Sequence, residues 1–148
     1  MDRSEQAVAK FVGGYNCAQA VLFSFCDDLG LDKDKAPKIA CGFGAGMGRK
    51  EEVCGAVSGG ILVIGAKYGR GENEDRKVTD NTYVKIRELM NQFAQRRDTY
   101  NKFYFKCNII YDILLPLKKY FGRYRHDTNE ESNKRRNCGT GTHSTYWD

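Results

Sequence analysis

The chain has only two histidines, two prolines and one tryptophan, and no two of its six cysteines are spaced CxxC. Without CxxC, neither a thioredoxin-like dithiol nor a zinc knuckle is indicated, and without CxxCH no c-type haem is attached. His126 and His143 lie in the weakly patterned stretch after Gly122, which argues against a His-based triad or a histidine metal centre. The longest apolar run, 53–66, is rich in glycine and falls short of the ~20 residues that a membrane helix requires. The opening segment MDRSEQAVAKF lacks the basic-then-apolar pattern of a secretory signal. A cytoplasmic protein is expected. There, six cysteines read as buried, reactive or metal-binding thiols rather than three structural disulfides. A strong field of one sign is also missing: the net charge is +5, and most of the excess falls after residue 71. No nucleic-acid or membrane partner is expected on that basis.

The 148 residues are 41% hydrophobic and 29% charged, as in a globular domain with a real core. Val8, Phe11, Val12, Tyr15, Ala18, Val21, Leu22 and Phe25 recur at three- and four-residue steps, which predicts helix over 3–29. Asp2 with Glu5 offers a capping box and Gly30 a stop, while Gly13-Gly14 permits a division into two helices, the second starting near Asn16. Asp32 caps a short helix over 32–40. The run 53–68 is too long for one strand and carries Gly55, Gly59 and Ala66 at helical spacing, so it reads as helix. An amphipathic helix follows over 73–97, with Tyr83, Ile86, Met90 and Phe93 on one face and a break at Asp98-Thr99. A last helix over 100–115 places Phe103, Cys107, Ile110 and Leu114 on one side and ends before Pro116. The expected fold is all-α: one helical bundle of four to five helices over 1–121, with a glycine-rich loop between helices. A polar, loosely ordered tail is expected over 122–148.

That loop begins at Cys41 and has glycine at positions 42, 44, 46 and 48, then the charged corner Arg49-Lys50-Glu51-Glu52, then Cys54. The spacing G-x-G-x-G-x-G matches neither the dinucleotide fingerprint nor the phosphate loop, and Glu51 and Glu52 would repel an anion. Backbone this poor in side chains lets another helix or a bound group come close. Cys54 stands where the next helix should begin. The positive end of a helix dipole there draws a thiol pKa down toward physiological pH, and Gly55 beside it leaves backbone amides free to donate to a sulfur. Cys26, among aromatic residues, reads as a small buried hydrophobe. Cys17 and Cys107 lie on helix faces compatible with either role.

NCAQAV at 16–21, GFGAGMGRKEEVCGAVSGG at 42–60, KYG at 67–69, and the single cysteines Cys107 and Cys138 together resemble the C_GCAxxG_C_C family. That family is named for its cysteine pattern and is associated with redox activity. The resemblance covers roughly 11–115 and is most specific over 42–69. It implies an iron–sulfur cluster, [2Fe–2S] or [4Fe–4S], held by Cys17, Cys54, Cys107 and Cys138. It also implies kinship with the cluster domain of split-Soret cytochromes, without the haem part. Cys26 and Cys41 are extra to the pattern. The segment FYFKC before Cys107 lacks the Gly-Ser pair expected of relatives, and the chain after Cys138 reads GTGTHSTYWD where relatives continue into another helix. Cys41 is therefore the alternative fourth thiolate.

The leading expectation is a redox or electron-transfer protein with Cys17, Cys54, Cys107 and Cys138 as metal ligands. Gly55 would line the cofactor, Arg49 and Lys50 could balance its charge, and the partner would be a redox protein. No catalytic residue is assigned, turnover of a substrate is left open, and so is a homodimer. One rival is metal-free thiol–disulfide chemistry, with Cys54 as the reactive thiolate and Cys17 or Cys107 resolving it. A second is an interaction module that binds an acidic partner through Lys134, Arg135 and Arg136. Zinc in place of iron is a third.

Overall fold

A computed structural model describes residues 2–99 and 106–121, with side chains described over 2–96 and 109–121. Seven right-handed helices account for its regular structure: α1 (Arg3–Val12), α2 (Cys17–Phe23), α3 (Cys26–Leu29), α4 (Lys35–Cys41), α5 (Gly55–Tyr68), α6 (Arg76–Thr99) and α7 (Lys106–Phe121). Among the described residues there is no strand, so the all-α expectation holds. The expected count of four to five helices does not, because the stretch 3–29 divides into three.

The divisions have local causes. Asp2 and Glu5 close the predicted capping box, the Glu5 N–H donating to Asp2 Oδ1 at 2.8 Å and the Asp2 N–H to Glu5 Oε2 at 2.9 Å. Gly13 caps α1 at its far end, and Gly14 turns the chain at φ +102°. A second box starts α2, where the Gln19 N–H donates to Asn16 Oδ1 at 3.0 Å and the Asn16 N–H to Gln19 Oε1 at 3.1 Å. The Ser24 hydroxyl then donates to the Val21 carbonyl at 2.8 Å, and the chain leaves helical geometry at Phe25. Gly30 ends α3 in the left-handed region, donating to the Cys26 carbonyl. Asp32 accepts from the N–H groups of Asp34 and Lys35 at 3.0 and 2.8 Å and starts α4, where Pro37 falls in the first turn and removes no helical bond.

The central element is α5. It is apolar on nearly every side, as a helix surrounded by other helices must be. A Cβ at Gly59 would lie 2.9 Å from the Ala18 carbonyl oxygen and 3.0 Å from Val21 Cβ, so α2 presses on one side. A Cβ at Gly60 would lie 2.9 Å from Leu89 Cδ2 and 3.0 Å from Ile113 Cγ1, so α6 and α7 press on the other. Ala66, one of the expected small contact positions, is exposed. Phe25, Val63, Ile64, Leu89, Ile110, Ile113, Leu114 and Leu117 are fully enclosed between these helices.

Two helix ends and one face differ from expectation. Asp98-Thr99 does not break α6, which runs to Thr99. Pro116 does not stop α7, which continues to Phe121 because Ile113, Leu114 and Leu117 keep one apolar face in the core on both sides of the proline. Packing there outweighs the single backbone hydrogen bond that proline forfeits. On α6 the buried positions are Thr82 and Leu89, flanked by half-buried Ile86 and Phe93, while Tyr83 and Met90 face outward. The Thr82 hydroxyl turns back to the Val78 carbonyl at 2.8 Å and reaches the last carbonyl of α5, Tyr68, at 2.6 Å. No helix among the described residues is long and apolar enough to cross a membrane.

Candidate functional site

The N-termini of α2 and α5 lie against one another. An ideal Cβ on Gly55 would stand 3.4 Å from the Ala18 amide nitrogen, 3.4 Å from Gly44 Cα and 3.1 Å from the Phe43 carbonyl oxygen. A side chain at position 55 would press on all three, so glycine keeps the approach close. Cys17 is the first residue of α2 and Cys54 is the cap residue of α5, so each helix start carries one half-buried, unbridged cysteine. The expected start of a helix at Cys54 is therefore where the structure has it.

Cys54 makes no side-chain cap to its own helix. The first-turn residues Gly55, Ala56 and Val57 are buried, and no acceptor among the described residues reaches their N–H groups. The N–H of Ala18, fully buried next to Gly55, is in the same position, since the α2 box satisfies Gln19 instead. Buried donors of this kind are rare, because each forfeits the hydrogen bonds it had with water. Four such donors lie at the two helix starts that carry Cys17 and Cys54.

The glycine loop covers this junction in an unusual conformation. Ala45, Gly46, Met47, Gly48 and Arg49 all have positive φ, from +51° to +72°, and Glu51 follows at +63°. This is one turn of left-handed helix, closed by the Gly48 N–H on the Gly44 carbonyl at 2.9 Å. Left-handed backbone costs roughly 1–2 kcal/mol for each residue that carries a Cβ. The alternation of glycines now has a cause: Gly44 and Gly46 face inward and are buried, whereas Ala45 and Met47 face out. A Cβ at Gly44 would fall 2.2 Å from Asn16 Nδ2, and one at Gly46 would fall 3.0 Å from Glu51 Cα.

Beyond the helix start expected near Asn16, the structure gives Asn16 and Gln19 a second role. Asn16 Nδ2 donates to the carbonyl of Cys41, the last residue of α4, at 3.0 Å, and Gln19 Nε2 donates to the Pro37 carbonyl at 3.1 Å. The N-x-x-Q spacing was the available signal for the capping box, but nothing local announced the reach to α4. Cys41 itself is exposed. Among the described residues no three Cys, His, Asp or Glu side chains gather into a metal-binding group, so Cys41 does not join Cys17 and Cys54 in one. Cys26 is fully buried, and its thiol donates to the Leu22 carbonyl at 3.6 Å. Burial pushes that thiol's pKa up and the neighbouring Asp27 carboxylate adds to the effect, so Cys26 keeps its proton as the apolar reading expected. Arg49 and Lys50 are exposed at the loop's rim. The backbone of Cys107 belongs to the first turn of α7, but its side chain lies outside the described residues, as do Cys138 and the cations Lys134, Arg135 and Arg136.

Searches of curated proteins and of solved structures each returned no match. A family model described as "Putative redox-active protein (C_GCAxxG_C_C)" matches residues 15–147. That span begins just before Cys17 and extends past Cys138, well beyond the 11–115 resemblance read from the motifs, so all four cysteines of the pattern fall within it. The chain belongs to the C_GCAxxG_C_C family.

Proposed function

We propose that the meeting of the α2 and α5 N-termini is a redox centre in which Cys17 and Cys54 hold an iron–sulfur cluster together with Cys107 and Cys138. The observation that carries this reading is the set of buried N–H donors at Ala18, Gly55, Ala56 and Val57, which face no acceptor among the described residues next to two cysteines. The residues present fit such a group. Thiolates are its usual ligands, and amide donors toward the sulfurs raise its potential. A bound cluster would supply one-electron transfer, and the protein would pass electrons to a redox partner. In this reading the amides donate to the cluster's sulfurs, Gly55 keeps the backbone close, and the left-handed turn covers the site.

The test is anaerobic expression followed by iron and sulfide analysis of the wild type and of Cys54→Ser. The expected result is a coloured wild type that contains iron and sulfide, and a variant that loses most of both. A colourless wild type without iron after reconstitution would exclude the cluster.

A second reading rests on Cys17 and Cys54 standing at the two helix starts that meet at Gly55. Two thiols suffice for a reversible disulfide: Cys17 and Cys54 would each lose a proton, a sulfur–sulfur bond would form, and two electrons would pass to a disulfide-bearing partner, which takes up the two protons as it becomes two thiols. A single Cys17–Cys54 disulfide mapped by mass spectrometry in iron-free protein would establish that reading in place of the first.

A further inference from the structure

The cysteines are the residues by which the family is defined, and the residue before Cys17 carries two bonds of its own. Asn16 uses both ends of its carboxamide. The oxygen caps α2 at the Gln19 N–H, and the nitrogen holds the Cys41 carbonyl 25 residues away at 3.0 Å. The C-terminal turn of α4 is thereby tied to the N-terminal turn of α2, one residue from the thiol. Gly44 is packed so closely against the same carboxamide that no side chain fits between them. A cap needs only the oxygen. Serine, aspartate and asparagine cap almost equally well, but aspartate has no donor and serine's one hydrogen sits on the capping oxygen itself, so only asparagine caps with one atom and donates with another.

We propose that Asn16 is a positioning residue for Cys17, and that the bond from its Nδ2 to the Cys41 carbonyl keeps the thiol half-buried against the start of α5. This rests on the Cys17–Cys54 junction being the redox centre, and it adds a determinant outside the cysteine pattern. Cys41 takes part through its backbone alone.

The structure supplies its own reporters for a test. Cys41 is exposed and reports the reagent, while Cys26 is fully buried and reports opening of the whole fold. The reduced full-length chain is treated with iodoacetamide, and labelling of each cysteine is followed by mass spectrometry in the wild type and in Asn16→Ser. Serine preserves the cap and the Gln19 bonds but has no carboxamide nitrogen to reach the Cys41 carbonyl. The expected result is Cys17 labelling about fivefold faster, the weight of one net hydrogen bond, with Cys26 still protected. An unchanged Cys17 rate would overturn the proposal. So would parallel rises at Cys17 and Cys26, which would make Asn16 a residue of general stability only. If Asn16→Ser does not fold, Gly44→Ala, which displaces the same carboxamide, is judged by the same two rates. Labelling is measured on reduced chain from which any bound iron has been removed by chelation, so an iron-free protein would sink the cluster and leave this test standing.

Discussion

At the scale of single residues, the glycines of α5 show how far chain chemistry alone can be followed. Gly55 and Gly59 were legible as close-approach positions because they recur at helical spacing in an apolar run. Gly60 was not, since nothing in the sequence says that two further helices reach the opposite side. The structure separates glycines that are required from one that is not. At Gly59 an added Cβ meets backbone of α2, which cannot yield, whereas at Gly65, on the same helix, it meets nothing within 4 Å. Gly59→Ala should therefore destabilise by about 1–3 kcal/mol, and Gly65→Ala should stabilise by about 0.5–1 kcal/mol by restricting the unfolded chain. Urea titration of both variants checks this, and equal effects would mean that α2 does not seat on Gly59. Cys26 gives a second residue-scale prediction. Its thiol pKa is raised in the folded chain, so the folded state holds a proton that the unfolded state releases above pH ~8.5. Stability must then fall as pH rises from there toward the raised value. Replacing Cys26 with alanine should flatten that alkaline decline, measured as the urea midpoint between pH 7 and 10, while lowering stability at all pH by the lost packing.

At the scale of elements, capping boxes and glycine stops were readable because their chemistry is local. The start of α1, the start of α2 at Asn16 and the stop at Gly30 all lie where those signals stand. The misread ends were those decided by tertiary contact: Pro116 stays helical because residues on both sides of it are in the core, and Tyr83 and Met90 face out because Leu89 takes the inward position. The contact between α6 and α7 is also held by a polar group. Glu88 accepts from the Lys119 ammonium and, at 3.0 Å, from the Tyr120 hydroxyl. Lys119 foremost, and then Tyr120, hold the Glu88 carboxyl below its ordinary pKa. A lowered folded pKa contributes stability at pH above about 4.3 that is lost as pH falls through the lowered value. Glu88→Gln should accordingly be less stable than wild type near pH 7, and the difference should close as pH approaches 3. Denaturant midpoints across that range measure it, and a gap that persists in acid would mean that the carboxylate charge is not the cause. The effect should be small, because the pair is open to solvent and screened by salt.

At the scale of the whole molecule, the site was half legible. A cysteine at a helix start with glycine beside it announced Cys54, and the family pattern announced Cys17, but no local feature places residue 17 against residue 54. That juxtaposition follows from α2 packing along the glycines of α5, and the unsatisfied amides become visible only once the two N-termini meet. The other end of the fold is closed by a charged residue that sequence reading passed over. Arg3, at the start of α1, reaches Asp28 beyond the start of α3, donating from Nε at 2.9 Å and from an Nη at 2.6 Å. Its guanidinium also lies 5.2 Å from the ring centroid of Phe25 and 5.4 Å from that of Phe121, the last residue of α7. The two rings contact each other with centroids 4.7 Å apart. One planar cation thus joins α1, α3 and α7, and its side chain is 11% exposed. Lysine cannot replace it, because an ammonium neither forks onto a carboxylate nor presents a planar face to the rings. Arg3→Lys should destabilise by about 1–2 kcal/mol, more than a surface ion pair is worth, because the aromatic contacts and the paired bonds are lost together. A double-mutant cycle with Asp28→Asn divides that loss into its ionic and aromatic parts. If the clamp acts only on the closure of the helices, iron content and Cys17 labelling will match wild type in Arg3→Lys. A fall in either would show that the packing of α1 and α7 extends its influence to the N-termini of α2 and α5.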